Sequence, residues 1–359
     1  MYNKISEKNV TIVPYIFKNN RFTGGVNEPP DISRIERRGK TYLDVWDDDS
    51  SYLKTQKKYF KGNFLYAGPL FPHYGHVMTE SIHRLYAYNK KEHDGIIFTA
   101  CWFSSNGVDK INLPSYLLRV LSLFSIDPEI CYIVKEHCDF ESVDFYQPGS
   151  ALQVGPTETY LEFLDSKIEL QRPPSNESWD KIFLGRTHII EQGTVMGESY
   201  ISNKLFDCGY RYLAPEQFDL NQQIAILKSA KEIVFVEGSS IYASELLGKW
   251  EANIYMLPRR NYDTYFRPHL ASKTNYFTLG DINSLVRLNN TQGKVKPNSP
   301  TIYKSPETIH FDLVEHGIIK DSKFNISTYE KHEELDLITY THGDKNILSD
   351  YKEIIKGRH

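Results

Sequence analysis

Apolar residues in this chain come in short runs separated by amphipathic stretches, the pattern of alternating strands and helices. In the first half Phe64 to Ala67 reads as a short strand and Gly75 to Lys90 as a helix. Gly95 to Ala100 (GIIFTA) then reads as a strand, Pro114 to Phe124 as a helix and Ile130 to Val134 as another strand. The second half alternates more cleanly. Lys181 to Gly185 (KIFLG) reads as a strand, Glu198 to Asp207 as a helix ended by Gly209, and Arg211 to Leu213 as a short strand. Asp219, with Gln222 three residues on, caps a helix carrying Leu220, Ile224 and Leu227 on one face. Ile233 to Val236 follows as a strand, Ile241 to Leu247 as a helix closed by Gly248, and Asn253 to Leu257 as a strand.

Alternation of this kind predicts parallel sheets covered by helices, hence an α/β fold. The segment Gln171 to Trp179 (QRPPSNESW) interrupts it with two prolines and a polar cluster, an exposed connector. The expected organisation is therefore a Rossmann-like domain over 1–172, a second over 180–290 and an extension over 291–359. Residues 291–344, with prolines and scattered β-branched positions, read as an irregular or β-rich extension, and Asn346 to Ile355 as a final helix. Ligands of such sheets sit at the carboxyl ends of the strands, in a cleft where two halves face each other.

Composition narrows the function. The 359 residues hold 42 Lys+Arg against 46 Asp+Glu, a net charge of −4, so a dedicated nucleic-acid binder is not expected. Cys101, Cys131, Cys138 and Cys208 have no CxxC spacing and read as buried thiols in a reducing compartment. The first residues lack an apolar leader segment, and no run of about 18 apolar residues occurs, so a cytoplasmic chain without a membrane span is expected. Aromatic residues make up 13% of the chain, a share that suits sugar recognition as well as an ordinary core; Tyr66, Tyr74, Trp102 and Phe103 fall near inferred strand edges.

Three constellations carry chemistry. Ile233 to Ser240 (IVFVEGSS) is a strand that ends in a small-residue turn and feeds a helix. Gly238 there permits close backbone approach, and Ser239 and Ser240 add hydroxyls, which suits a phosphate; a plain capped turn explains the residues equally well. Arg186 follows KIFLG and falls on the same carboxyl edge, where a guanidinium can hold a diphosphate with paired hydrogen bonds. Glu198 and Glu237 fall near that edge and suit ribose or sugar hydroxyls. In the first half, a helical wheel places His76, Glu80 and His83 opposite Met78, Ile82 and Leu85. The polar stripe reads as a general base supported by a carboxylate, as a metal site, or as a solvated face with a Glu80 to Arg84 ion pair. Asp47-Asp48-Asp49 contains a DxD spacing that also fits an acidic turn.

Taken together, GHVMTESIHRL (Gly75 to Leu85), Phe183-Leu-Gly-Arg186, Glu198, the Gln223 to Ala230 helix and Glu237-Gly-Ser-Ser-Ile241 resemble glycosyltransferase family 61 and its bacterial capsule-type relatives. The resemblance spans residues 60 to 260. Glu237 stands where many members carry histidine. It implies a GT-B type fold, two Rossmann-like domains facing across a cleft. The activity implied is inverting, metal-independent transfer of a hexosyl or pentosyl group from a nucleotide-sugar donor to a glycan or lipid-linked glycan acceptor, in capsular or other surface polysaccharide biosynthesis and with no cofactor. On this basis His76 or Glu80 is the base, and Arg186, Glu198, Glu237, Gly238, Ser239 and Ser240 hold the donor. His73, His83 and Arg84 are the acceptor-side candidates, and the protein is expected as a peripheral component at the inner face of the cell membrane. Two other readings compete: a non-catalytic glycan-binding or assembly protein, and a metal-dependent transferase using Asp47 and Asp49.

Overall fold

The structure, a computed structural model, describes residues 3–18, 21–33, 36–37, 40–41, 57–102, 110–168, 173–174 and 178–358. Asp47 to Asp49, Phe103 and much of the Gln171 to Trp179 connector lie outside these. The chain forms two compact units, residues 1–169 with 242–249, and residues 170–241 with 250–359. The second unit thus sends the short segment Tyr242 to Lys249 into the first, which no hydrophobic pattern announces.

The first unit is built on β1 (Lys4–Lys18), β2 (Arg21–Val26), β3 (Lys58–Leu70), β4 (Gly95–Trp102), β5 (Cys131–Val134) and β6 (Cys138–Tyr146), in the order β2-β1-β6-β3-β4-β5. Strands β3 to β6 are mutually parallel, as alternation predicts, but β1 runs antiparallel to both β2 and β6. The sheet is therefore mixed rather than purely parallel. Strand β1 also bends. Its register against β2 shifts between Val13 and Ile16, around Pro14, which has no N–H to give a ladder. Beyond the bend Tyr15 and Ile16 pair with Cys101 and Trp102 of β4, which closes a ring of four strands, β1-β6-β3-β4. The ring removes edges that would otherwise be exposed. An aromatic cluster packs on this sheet: Phe60 stacks on Phe140 at 4.9 Å, Phe64 and Phe145 are buried beside them, and Tyr66 is 2% exposed. Tyr66 is consequently core, not a sugar platform. The helices α1 (Ser115–Leu123) and α2 (Glu158–Lys167) also belong to this unit.

In the second unit, β7 (Lys181–Leu184), β8 (Arg211–Tyr212), β9 (Glu232–Val236), β10 (Asn253–Leu257) and β11 (Asn275–Thr278) form an all-parallel sheet ordered β8-β7-β9-β10-β11. The order reverses between β7 and β9. That is the topological switch point at which open parallel sheets bind ligands. Helix α3 (Glu198–Asp207) and α4 (Leu220–Ser229) connect the strands, and the Asp219–Gln222 capping box starts α4. Phe183, Val234, Val236 and Leu257 of the sheet pack with Tyr200, Ile201 and Leu205 of α3 in one core.

Residues beyond 291 join this second unit and are mostly helical, which corrects the expectation of an irregular or β-rich extension. A short β12–β13 hairpin (Leu285–Arg287, Thr301–Tyr303) is followed by α5 (Glu307–Glu315), α6 (Ile326–Thr341) and α7 (Lys345–Ile355). The physical reason is visible in α6. Its buried face consists of Tyr329, Glu333, Asp336, Leu337 and Tyr340, a helical spacing in which two of the positions are carboxylates. Hydrophobic periodicity is blind to such a face. Glu333 is paired with the buried Arg358 at 2.5 and 2.9 Å, and Asp336 accepts the Gly197 and Ser199 N–H groups at 2.9 and 3.2 Å, capping α3.

Candidate active site

At the switch point the chain leaves β7 through Gly185 and Arg186. Arg186 is 8% exposed, and its guanidinium is tied down by Nε donating to the Gly193 carbonyl at 2.9 Å and Nη2 to the Gln192 carbonyl at 3.3 Å. Gly193 has φ +79°, and a Cβ there would lie 2.7 Å from the Asn298 backbone, so only glycine places this carbonyl. The same carbonyl accepts Nη1 of Arg259 at 2.8 Å. Two guanidiniums, Arg186 buried and Arg259 half-buried, thus converge on one oxygen.

From β9 comes Glu237-Gly238, and from β10, alongside it in register, Pro258-Arg259-Arg260. A Cβ on Gly238 would sit 2.7 Å from Nη1 of Arg186, so the guanidinium lies directly over the bare backbone of this turn. Gly238→Ala is therefore expected to displace Arg186 and to cost about 1–3 kcal/mol, read as a lowered thermal midpoint together with weaker anion binding. An unchanged midpoint with unchanged binding would contradict the close approach.

Charge accumulates at this edge. Arg186, Arg259 and Arg260 lie near enough to act on one another, Arg287 acts on Arg259, Glu237 offsets Arg186 and Arg259, and Glu198 offsets Arg186. Burial first, and then the neighbouring Arg186, pull Arg259 down to about 9, while burial also lowers Arg186. Guanidiniums crowded this way gain from an added anion, because it offsets their mutual repulsion in a poorly solvated place.

Both carboxylates point inward, which corrects their assignment to donor hydroxyls. Glu237 is fully buried. Its Oε2 accepts the Arg259 and Arg260 N–H groups at 2.7 and 2.9 Å, and its Oε1 pairs with Nε of Arg260. Glu198 is equally buried and accepts from the Arg186 N–H, the Thr187 N–H at 3.1 Å and the Thr194 hydroxyl. Burial outweighs those bonds and pushes its carboxyl up to about 7. Each glutamate holds a loop that carries an arginine. Ser239 and Ser240, half-buried, begin a 3-10 run to Leu246 rather than an α-helix. The structure thus brings Arg186 and Gly238 together as the sequence suggests and adds Arg259 and Arg260, which sequence reasoning missed. A basic pair after a strand reads as solvated surface until the sheet order puts that strand beside β9.

In the first unit the expected long helix over Gly75 to Lys90 is a series of short turns. Tyr74–His76 is one helical turn, Val77–Ser81 a π turn, and Leu85–Ala87 a 3-10 turn. Side chains pin the π turn, with the Thr79 hydroxyl donating to the Gly75 carbonyl at 2.8 Å and the Ser81 hydroxyl to the Pro69 carbonyl at 2.7 Å. Such wide turns are rare, and they are frequent at functional sites. Because the turn is sunk against β3, the stripe drawn on a helical wheel does not form. Glu80 and His83 are buried, and only His76 stays partly accessible, at 36%.

His76 and Glu80 nonetheless meet, Nδ1 to Oε1 at 2.5 Å, with the Phe71 ring 4.8 Å from the imidazole. A buried carboxylate on Nδ1 selects the tautomer in which Nε2 is the basic nitrogen. His73 caps the turn, its Nδ1 accepting the Gly75 N–H at 3.2 Å, and burial lowers its basicity. His83 and Arg84, expected on the acceptor side, are interior. His83 lies between the Tyr160 hydroxyl at 3.2 Å and Glu245 at 3.6 Å, and Nε of Arg84 donates to the Tyr146 carbonyl at 2.9 Å. Arg84 therefore does not make a surface pair. Glu245, on the inserted segment, was not marked by any pattern.

Among the described residues, no group of three or more His, Cys, Asp or Glu is arranged to hold a metal ion, and no helix is long and apolar enough to cross a membrane. Searched against protein-family models and curated proteins, the chain matches none.

Proposed function

We propose that the protein is an inverting glycosyltransferase of the GT-B class whose second unit binds a nucleotide-sugar donor. The observation that carries this is the pair Arg186, buried, and Arg259, half-buried, converging on the Gly193 carbonyl beside Gly238, at the switch point of a parallel sheet. Arginine there neutralises a diphosphate both when bound and when leaving. In the first unit, His76 oriented by Glu80 has the form of a general base.

Inverting transfer gives these residues the following roles. The acceptor hydroxyl gives its proton to Nε2 of His76 as its oxygen bonds to the anomeric carbon. The bond from that carbon to the diphosphate breaks, and the electron pair leaves with the nucleoside diphosphate. Attack opposite the leaving group inverts the centre. The family-like motifs support a glycan or lipid-linked glycan acceptor and a role in surface polysaccharide synthesis at the cytoplasmic face of a membrane.

Thermal-shift measurement against nucleotides and nucleotide sugars tests the proposal. A true donor at 100 times its dissociation constant stabilises the fold by about 2.7 kcal/mol. Arg259→Ala is expected to weaken that ligand by about 10-fold or more, the worth of a charge-assisted hydrogen bond. Stabilisation by oligosaccharides and by no nucleotide would instead support a glycan-binding protein without the chemistry.

A further inference from the structure

Beyond the phosphate contacts, we propose that Tyr262 and Tyr265 form a nucleobase platform for the donor, in the loop that leaves β10. The proposal rests on reading the arginine cluster as a diphosphate site. Arg260 links the two. Its Nε pairs with Glu237, its Nη1 donates to the Tyr262 hydroxyl at 3.2 Å, and its guanidinium lies 5.2 Å from the Tyr262 ring and 5.8 Å from the Tyr265 ring. The two rings are 5.5 Å apart, inclined at 62°, and each is only partly buried.

The loop is built to hold them. Phe266 is 2% exposed and packs on Phe235 at 5.8 Å, anchoring one end. Asp263 accepts from Nε of Arg267 at 2.6 Å and from the Thr278 hydroxyl at 3.0 Å, and its carbonyl takes the Phe266 and Arg267 N–H groups. Rings on a fixed loop lose little entropy when a flat ligand settles on them.

The neighbourhood favours a base over a sugar. Sugar hydroxyls call for carboxylate partners, and the carboxylates here, Glu237 and Asp263, are already taken by Arg260 and Arg267. The Tyr262 hydroxyl is engaged by Arg260, so the two tyrosines meet a ligand as rings rather than through that hydroxyl, and every nucleobase has a π face to offer a ring. This division also fits the charge: arginines take the phosphates, tyrosines the neutral ring.

Calorimetric titration of the full chain with inorganic pyrophosphate and with uridine, guanosine and adenosine diphosphates tests the idea. In the double variant Tyr262→Leu/Tyr265→Leu, pyrophosphate is expected to bind as before, which also shows that the fold is intact. The best-bound nucleoside diphosphate is expected to weaken by about 10-fold or more. Tyr212→Leu, at the end of β8 on the other side of β7, is expected to leave both ligands unchanged. Equal nucleotide affinity in the double variant, or a loss confined to Tyr212→Leu, overturns the platform alone. Absence of pyrophosphate binding to the unaltered protein overturns the arginine reading and the platform with it.

Discussion

Turnover by the His76→Ala variant is expected to fall by about 100- to 10,000-fold, the span that a positioned general base contributes. The expectation comes from a specific geometry. Nδ1 of His76 is 2.5 Å from a Glu80 oxygen, Glu80 is 1% exposed, and the imidazole itself is 36% exposed. A carboxylate with no water to share stabilises the imidazolium that forms as the acceptor proton arrives. The effect should lie in kcat, with the affinity for nucleoside diphosphate unchanged, because His76 and the arginine cluster belong to different units.

Glu80→Gln separates the two carriers of the base role. The amide oxygen can still accept from Nδ1, so orientation survives while the charge is lost, and a loss of about 10-fold is expected, smaller than for His76→Ala. If Glu80→Gln removes more activity than His76→Ala, the carboxylate is the base and the histidine its support. Release of nucleoside diphosphate in the presence of acceptor is the readout. Near-normal turnover by His76→Ala would sink the base assignment.

How far this site could be read without coordinates depends on where its signals are local. The strand Asn253 to Leu257 and the helix Glu198 to Asp207 form over the residues that periodicity and a following glycine indicate, since buried parallel strands and capped helices are written in consecutive residues. Arg186 and Gly238 were legible for the same reason: each sits one or two residues past a strand end. Arg259 and Arg260 were not, because their meaning comes from the pairing Val236 with Leu257, a contact between distant positions. The π turn at Val77 to Ser81 was hidden by its own composition. Val77-Met-Thr-Glu-Ser fits an ordinary helix, and what marks the wider turn is the tertiary bond of Ser81 to Pro69 with the local one of Thr79 to Gly75. The bend of β1 at Pro14 and the carboxylate-bearing face of α6 were hidden likewise, the first by a ring closure and the second by Arg358.

Glu198 leads to the second large effect, on stability. Its carboxyl titrates near 7 in the folded protein and near 4.5 when unfolded. Between those values the folded state holds a proton that the unfolded state releases, so unfolding free energy must fall as pH rises from about 4.5 to 7. The stabilisation is fully present below the unfolded value and is lost above the folded one, a change of about 3 kcal/mol over the window. Glu198→Gln should flatten this slope. The amide oxygen can accept the Arg186 and Thr187 N–H groups where Oε1 does now, and the amide N–H can donate to the Thr194 hydroxyl in place of Oε2. At pH 8 the variant is then expected to be at least as stable as the unaltered protein, by chemical denaturation monitored in steps of pH. A profile that keeps its slope in Glu198→Gln would show that another group carries the titration. The same proton bears on the site: when Glu198 ionises it places a negative charge beside Arg186, so from pH 6 to pH 8 pyrophosphate affinity in the unaltered protein should fall relative to that of the variant, in which only the ligand's own ionisation acts.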